Sequence, residues 1–478
     1  MRRRVLAAVV AAGCALAWST PASAGRRTEV AVSDSAGLAS AMAAATAGTT
    51  IVLADGDYTI GKLSGKVGTA DAPVTIRSAH PGQARITGGQ LEIQDSAYVL
   101  VRGLDWANAN TLKVHASQHV RLTDNHFRLH TASGTHWVLI NGENSGHNRI
   151  DHNTFEHKTV LGNYVTVYGG QSQISQYDRI DHNLFADETP QTANGGEAIR
   201  LGVSSLSESS AHATIEDNLF TDCDGDAEIV SVKSSDNTVR YNTFRRSAGV
   251  LSARRGDRNS FYGNVFLGAG KAGTGGIRLY GEDQRVWNNY FAGLTGSGFT
   301  AAVQIDGGSI TADSDHGDPS LWAEHWQVER AVVTHNTFVD NVSNIETGAN
   351  YTYPPVDSVV ADNLVVGSTG KLYDEVKQPT GQTYLGNIAY PTGSATVGLE
   401  LPADQIRVAD PKLDRAGEIA HLTADSPAVD AATGSFRYVT DDVDGQPRDT
   451  QPDVGADELS TAPVLRHPLT AADVGTSW

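Results

Sequence analysis

The 478-residue chain carries 55 acidic against 36 basic side chains, a formal net charge of −19, and two cysteines. That balance excludes nucleic-acid binding driven by bulk phosphate neutralisation, while a local basic groove on an acidic body stays compatible with a polyanionic ligand. A chain this long usually means two or three domains, but internal repetition removes that expectation here.

Arg2-Arg3-Arg4, the apolar run from Val5 to Trp18, and Ala22-Ser23-Ala24 have the form of a secretory signal peptide, so residues 1–24 are expected to be removed on export. The run is shorter than a membrane span of about 20 residues, and no later segment has the character of one. A secreted, soluble protein without membrane contact is expected. Its acidity increases once the three leader arginines are gone. Cys14 leaves with the leader and Cys223 stays alone, which excludes an intramolecular disulfide. From Asp34 to Gly48, Leu38, Met42 and Ala45 recur at helical spacing, with Ser33 or Asp34 as N-cap and Gly48 as stop. A short helix covering the first coil of a repeat is predicted.

The repeat itself is an asparagine followed two residues later by an apolar, usually aromatic, side chain. It runs through Asn125, Asn153, Asn183, Asn218, Asn242, Asn264, Asn289, Asn336, Asn363 and Asn387. Successive asparagines are 28, 30, 35, 24, 22, 25, 47, 27 and 24 residues apart. A period in the twenties with frequent glycine indicates a solenoid. The segments between the marks alternate and are rich in β-branched residues, as at Val239-Arg240-Tyr241, so they read as strands. The predicted architecture is an all-β, right-handed parallel β-helix of about 24 residues and three short strands per coil. The asparagines are expected to stack at an inner corner and the phenylalanines to fill the core.

Coils longer than the period carry insertions. The 35-residue step holds Asn194-Gly195-Gly196-Glu197, and the 47-residue step holds a loop from about Asp306 to Glu329. Long loops on a rigid solenoid are where binding concentrates. Toward the C-terminus, Ser426 to Asp430, Asp444 to Arg448 and Asp453 to Asp457 read as the last irregular turns of one domain spanning 25–459. Residues 460–478 lack pattern and are expected as an extended or loose tail. A single solenoid needs no partner subunit, so a monomer is expected.

The chemistry gathers around Asp226-Ala227-Glu228 and Lys233, with Arg254 one coil on. Two acids two apart on a strand point the same way, and Asn194 of the preceding coil falls close by. Amide and carboxylate oxygens of this kind suit Ca²⁺, which takes six to eight of them. Taken alone, an Asp-x-Glu pair is a solvated strand face, Lys233 a solubility device on a strand, and Arg254 an ion-pair partner. Neighbouring coils, about 4.8 Å apart, bring the three features together. Other clusters are weaker. His115 and His119 have zinc-like spacing, but only on a helix, and their region reads as strand. Asp313, Asp315 and Glu324 mimic part of a calcium-binding loop, with Gly317 and Asp318 wrong for it. Cys223 has no evident base and reads as a packing residue.

Asn194 to Gly202, Asp226 to Lys233, Lys233-Ser234-Ser235-Asp236-Asn237 and Gly275-Gly276-Ile277-Arg278 resemble the signature blocks of polysaccharide lyase family 6. That family holds alginate lyases and the dermatan-cleaving chondroitin B lyases. The resemblance covers roughly residues 28 to 400. It implies Lys233 as Brønsted base, Arg254 as Brønsted acid, and Asn194, Asp226 and Glu228 as calcium ligands. It implies substrate contacts for Arg200, Arg278, Arg255, Glu197 and Tyr280. Two positions depart from the family pattern. Asp226 stands where the first acid is usually Glu, and Arg255 where the residue after the catalytic arginine is usually His.

The implied reaction is β-elimination on an anionic uronate polysaccharide such as alginate. Lys233 removes the C5 proton as a neutral amine, which needs a pKa below the ordinary value of about 10.4, lowered by Arg254 and Ca²⁺. Because guanidinium is a poor acid, Arg254 is expected to act electrostatically, with water completing the transfer. The leading expectation is a calcium-assisted alginate lyase acting at mannuronate-containing linkages. Dermatan sulfate lyase, a non-catalytic polyuronate-binding β-helix and a hydrolase on the same fold stand as alternatives.

Overall fold

The computed structural model describes residues 27–107, 110–129, 133–315 and 318–478; the expected signal peptide lies outside them. The chain winds into a parallel β-helix. One coil is Thr214–Glu216, Leu219–Cys223 and Glu228–Lys233; the next is Thr238–Arg240, Thr243–Arg245 and Gly249–Arg255. These strands pair in parallel, coil on coil, with Ile215 opposite Val239, Phe220 opposite Phe244 and Val232 opposite Ala253. Three faces result. The first is a 14-stranded sheet from Thr28–Val32 to Thr383–Leu385. The second follows each asparagine, and the third carries the residues singled out above.

Alternation within each strand sends one set of side chains inward. Ile215, Val239 and Phe261 fill the core from the first face, and Val230, Leu251 and Ile277 from the third, all buried. The second face supplies a column of phenylalanines from Phe127 to Phe338. Their rings stack with centroids 4.6 Å apart between Phe127 and Phe155, 4.9 Å between Phe185 and Phe220, and 4.8 Å between Phe291 and Phe338. At the corner before this face the asparagines form a continuous ladder. Asn218 Nδ2 donates to Asn242 Oδ1 at 3.0 Å and to the carbonyls of Ile180 and Glu216 at 2.9 Å, while its backbone N–H donates to Asn242 Oδ1 at 3.0 Å. The same bonds recur through Asn363 and Asn387. A buried turn thus has its polar groups satisfied by one residue type repeated. On the outside of the first face the coils are laced diagonally: Arg121 grips Asp151 at 2.7 and 2.6 Å, and Arg149 grips Asp181 at 2.8 and 2.6 Å.

At the N-terminal end, the predicted helix is present as Ser35–Ala44, with the Asp34 carboxylate accepting from Gly37 N–H at 2.7 Å and Leu38 and Met42 buried. At the other end the final strand, Ile406–Val408, pairs with Asn387–Pro391. The irregular residues after it do not add a coil; they return along the outside of the second face. Gly434 N–H bonds Asp362, Ala456 N–H bonds Thr337 Oγ1, and Ala420 N–H bonds the Tyr290 hydroxyl. Ile419, Val443 and Ala456 pack on Val265, Tyr290 and Val339. Residues 460–478 continue the same path, with a turn over 471–473. Leu469 N–H reaches Thr243 Oγ1 at 2.8 Å, Thr476 N–H reaches Thr154 Oγ1 at 3.1 Å, and Ser477 Oγ reaches Asp124 at 3.0 Å.

Candidate functional site

Four strands of the third face build the site: Ile199–Gly202, Glu228–Lys233, Gly249–Arg255 and Thr274–Leu279. Leu201, Val232, Ala253 and Leu279 align inward. The outward row one residue earlier is Arg200, Ser231, Ser252 and Arg278, two small residues between two arginines. The next outward row departs from register. Val232 faces Ala253 but Lys233 faces Arg255, so Arg254 is the extra residue of a β-bulge. Bulges re-aim side chains and recur beside active sites. Gly256 closes the bulge at φ +83°, where a Cβ would lie 2.4 Å from the Ser234 carbonyl. The predicted Lys233 and Arg254 are therefore brought to one surface by an irregularity that no repeat pattern encodes.

Lys233 is mostly buried, its side chain 13 % exposed, with its amine 3.4 Å from Glu197 Oε1. Burial pulls its pKa down and Arg200 and Arg255 add to that, against the opposing pull of Glu197 and Glu228; the net direction is down. The arginines that lower it are Arg200 and Arg255 rather than the expected Arg254. Glu197, expected against substrate, is only 1 % exposed and lies behind the site. Its carboxylate takes Arg200 at 3.0 and 2.6 Å and Asn163 at 2.8 Å. Burial alone would raise the Glu197 carboxyl, but Lys233 and Arg200 outweigh it and hold it below the ordinary range. Arg200 also bonds the Tyr168 hydroxyl at 3.3 Å. Asn163 and Tyr168 carry no repeat signal in the sequence; only the coil register finds them.

Asp226 Oδ2 accepts the N–H groups of Gly195 and Gly196 at 2.7 and 3.2 Å, and Oδ1 accepts Glu228 N–H at 3.2 Å. The two loops touch because Gly196 has no side chain: a Cβ there would sit 2.3 Å from the Gly225 carbonyl. Asn194 is exposed beside them. Burial raises the Asp226 carboxyl, and Glu197 and Glu228 raise it further, past the opposing glycine N–H groups. An exposed amide next to two carboxylates that repel each other fits a hard cation in kind. Glu228 is the constrained member. Its Oε2 takes Ser231 Oγ at 2.5 Å, and its Oε1 faces Arg278 and, at 3.4 Å, Arg254. A cation there would share Glu228 with two guanidiniums.

Arg254 is 15 % exposed and lies over the Tyr280 ring, 5.7 Å from its centroid; Arg278 lies over the same ring at 5.6 Å. Tyr280 itself is fully buried, its hydroxyl on Asp306 at 2.6 Å, so it backs the arginines rather than meeting solvent. Arg255 is also buried. It bonds the Ala323 carbonyl of the long insertion, and burial and Arg254 push its pKa down to about 10. Three residues expected at the substrate, Glu197, Arg255 and Tyr280, are thus buried and bonded within the site wall. The insertion and the following turn add side chains that sequence reasoning missed. The His325 ring stacks on Tyr351 with centroids 4.1 Å apart, its Nε2 is 2.9 Å from the Tyr351 hydroxyl, and it meets Tyr280 edge-on at 5.0 Å. Phe299 extends the wall, with Arg278 over its ring at 5.3 Å.

The weaker clusters stay apart. His115 bonds Asn141, whereas His119 stacks between Tyr98 and His147. Glu324 accepts from Ser309, and the side chains of Asp313 and Asp315, like Gly317, lie outside the described residues. Cys223 is buried, and burial, with Glu188 adding, pushes its thiol well up.

The family description Chondroitinase B matches residues 32–369. No curated protein matches the chain. Among solved structures, a point variant of the PL6 family alginate lyase AlyGC superposes with a TM-score of 0.77 at 26 % identity, covering 94 % of this chain and 59 % of that one. The chain therefore spans well under two thirds of that relative. A mannuronic acid specific family 6 lyase from human gut microbiota is 25 % identical with a TM-score of 0.65, over 76 % of this chain and 86 % of that one. A PL6 alginate lyase in complex with a trisaccharide shares the fold at a TM-score of 0.68 and 22 % identity, over 95 % and 96 % of the two chains. The family match spans most of the coils and includes every strand of the third-face site, and on that ground the chain belongs to the chondroitinase B family of parallel β-helix proteins, polysaccharide lyase family 6.

Proposed function

We propose that this chain is an exported polysaccharide lyase that cleaves alginate at mannuronate-containing linkages by β-elimination. The observation that carries the reading is Lys233: a buried amine with a lowered pKa, one coil from a bulged arginine, on a surface rimmed by Arg200 and Arg278. A neutral amine is what abstraction of the C5 proton requires. Glu197, already 3.4 Å away, stabilises the ammonium that forms. Arg254 faces the departing O4 and stabilises its developing charge. Arg278, carried by Glu228 and the Tyr280 ring, holds a uronate carboxylate, and Arg200 sets the far end of the row. Asn194, Asp226 and Glu228 would hold Ca²⁺, which supplies positive charge beside the substrate carboxylate and so acidifies the C5 proton. Alginate is favoured by the mannuronic acid specific relative. Dermatan sulfate is the second reading, favoured by the description of the family that matches. The form of residues 1–24 supports export.

The test is ultraviolet absorbance of the conjugated product with polymannuronate, polyguluronate and dermatan sulfate, each with calcium and with chelator. Absorbance on polymannuronate that falls on chelation is expected. A rise on dermatan sulfate alone moves the assignment to the second reading. Binding without any rise makes the protein a polyuronate-binding β-helix. A rate indifferent to chelator removes the metal role of Asn194, Asp226 and Glu228.

A further inference from the structure

The outward row that holds Arg200, Ser231, Ser252 and Arg278 continues in both directions along the third face, and its two ends differ; what they imply deepens the lyase reading and rests on it. Before Arg200, coil by coil, stand Thr166, Leu139 and Lys113. After Arg278 stand Gln304, Glu346 and Asp374. With successive rungs about 4.8 Å apart, the first end is neutral to basic and the second acidic.

Access differs as well. Past Arg278, Gln304 is fully buried and Glu346 is buried. The short turn Gly298–Thr300 is bonded down onto that stretch: Gly298 N–H donates to Glu346 Oε2 at 2.8 Å, while Ser343 Oγ holds Oε1. Phe299 of this turn stays 40 % exposed and stands against the Arg278 guanidinium, which lies 5.3 Å from its ring centroid, with the Tyr351 ring behind it at 5.9 Å. The row is therefore walled off directly past Arg278. On the other side the Tyr168 hydroxyl meets Arg200 at 3.3 Å, and the Tyr168 ring meets His136 edge-on at 5.7 Å. Leu139 and Lys113 are half-buried, and Lys113 makes no hydrogen bond or ion pair among the described residues. A polyanion on this face is drawn toward Arg200 and Lys113. Glu346 and Asp374 repel it, because like charges juxtaposed in an interface cost binding energy.

We propose that the protein trims its uronate polymer one unit at a time from the non-reducing end, with the Gly298–Thr300 turn, and Phe299 on it, as the stop that sets the length of the released piece. The base and the bulged arginine lie on opposite sides of the cleavage point. Lys233 is 3.4 Å from Glu197, the partner of Arg200, on the open side. Arg254 shares the Tyr280 ring and Glu228 with Arg278, on the walled side. In the elimination Lys233 takes the C5 proton, its electron pair forms the C4–C5 double bond, and the C4–O4 bond breaks with its pair on the oxygen. That oxygen belongs to the unit on the non-reducing side and takes a proton from water beside Arg254. The unit that loses its C5 proton therefore lies toward Arg200, with the rest of the polymer running along Thr166, Leu139 and Lys113. The leaving unit lies by Arg254 and Arg278 with Phe299 at its back. It departs as a monosaccharide, and the shortened polymer carries the double bond at its new non-reducing end.

The experiment follows an oligomannuronate of defined length, labelled with a fluorophore at its reducing end and resolved by chromatography during turnover. Monosaccharide is expected from the first turnovers, with the label passing through products shortened one unit at a time. Labelled fragments of mixed length from the outset, or a label released on the first small product, overturn the proposal. Phe299→Ala should add disaccharide to the products; a product profile identical to that of the unmodified protein removes Phe299 as the stop. Lys113→Glu should raise KM severalfold on long oligomers and leave it unchanged on a trimer. An unchanged KM on long oligomers, or an equal rise on both, refutes the placement of the polymer on the open side. If neither the labelled oligomer nor polymannuronate gives any rise in absorbance, it is the mannuronate lyase reading that fails.

Discussion

Two columns of outward or corner residues run up this solenoid, and they differ in one respect. At the asparagine corner every coil presents the same side chain making the same bonds, from Asn125 to Asn387. On the third face the chemistry changes from coil to coil: Arg200 is followed by two serines, Ser231 and Ser252, and then Arg278, and Lys233 by a bulged arginine pair. Repetition satisfies the backbone and the core. The chemistry sits where repetition lapses, because a cavity with a base, an electrostatic stabiliser and carboxylate binders cannot be made of identical rungs.

That contrast can be broken by substitution. The largest effect is expected from Lys233→Ala, which should lower turnover by about 10²–10⁴-fold with an unchanged melting temperature; appreciable product absorbance from that variant would remove Lys233 from the mechanism. On the repetitive side, Phe220→Ala deletes a fully buried ring from its stack and should destabilise by about 3–5 kcal/mol, read as a drop in the urea midpoint. Turnover of the molecules still folded should hold. Asn218→Ala leaves the Asn183 N–H and amide and the Ile180 and Glu216 carbonyls without their Asn218 partner, a loss of roughly 1–3 kcal/mol. A stability change near zero would mean that water replaces the rung.

Smaller effects sharpen the boundary between the two columns. Glu197 is the largest upward influence on the Lys233 pKa. Glu197→Gln should therefore lower that pKa further, and the rising limb of the pH–rate profile, which follows loss of the Lys233 proton, should move to lower pH. A limb that stays in place or moves up would show that another group governs it. The smallest change is expected from Trp478→Ala, which removes the indole bond to the Asp124 carbonyl. Roughly 1 kcal/mol of stability should go, with kcat untouched.

What the sequence revealed follows the same division. The coiled architecture, the asparagine corner, the phenylalanine column and the capping helix were legible because one residue type recurs at one period, or because a cap and a spacing coincide at Asp34 and Leu38. Lys233, Arg254 and Asp226 could be picked out as a group only because the period lets neighbouring coils be aligned. The wall of the site was not legible. Arg255 meets Ala323, and His325 meets Tyr351, across an insertion whose length follows no period. The burial of Glu197 and Tyr280 depends on side chains from coils on either side. The return of residues 409–478 was invisible for a related reason: its partners are distant in sequence and its own pattern is aperiodic.

That returning segment changes how the molecule comes apart. In a plain solenoid each unit touches only its neighbours, so opening can begin at any weak point and spread one unit at a time. Here a single stretch is anchored to Asp362 near one end, at Thr433 and Gly434, and to Asp124 near the other, at Ser477. An interior coil cannot swing out on that side without peeling the stretch away, and peeling it exposes the apolar patches around Tyr290 and Leu364. Amide hydrogen exchange should accordingly report one large cooperative unit rather than a gradient of independent rungs, and a protease would meet a spine fastened along its length.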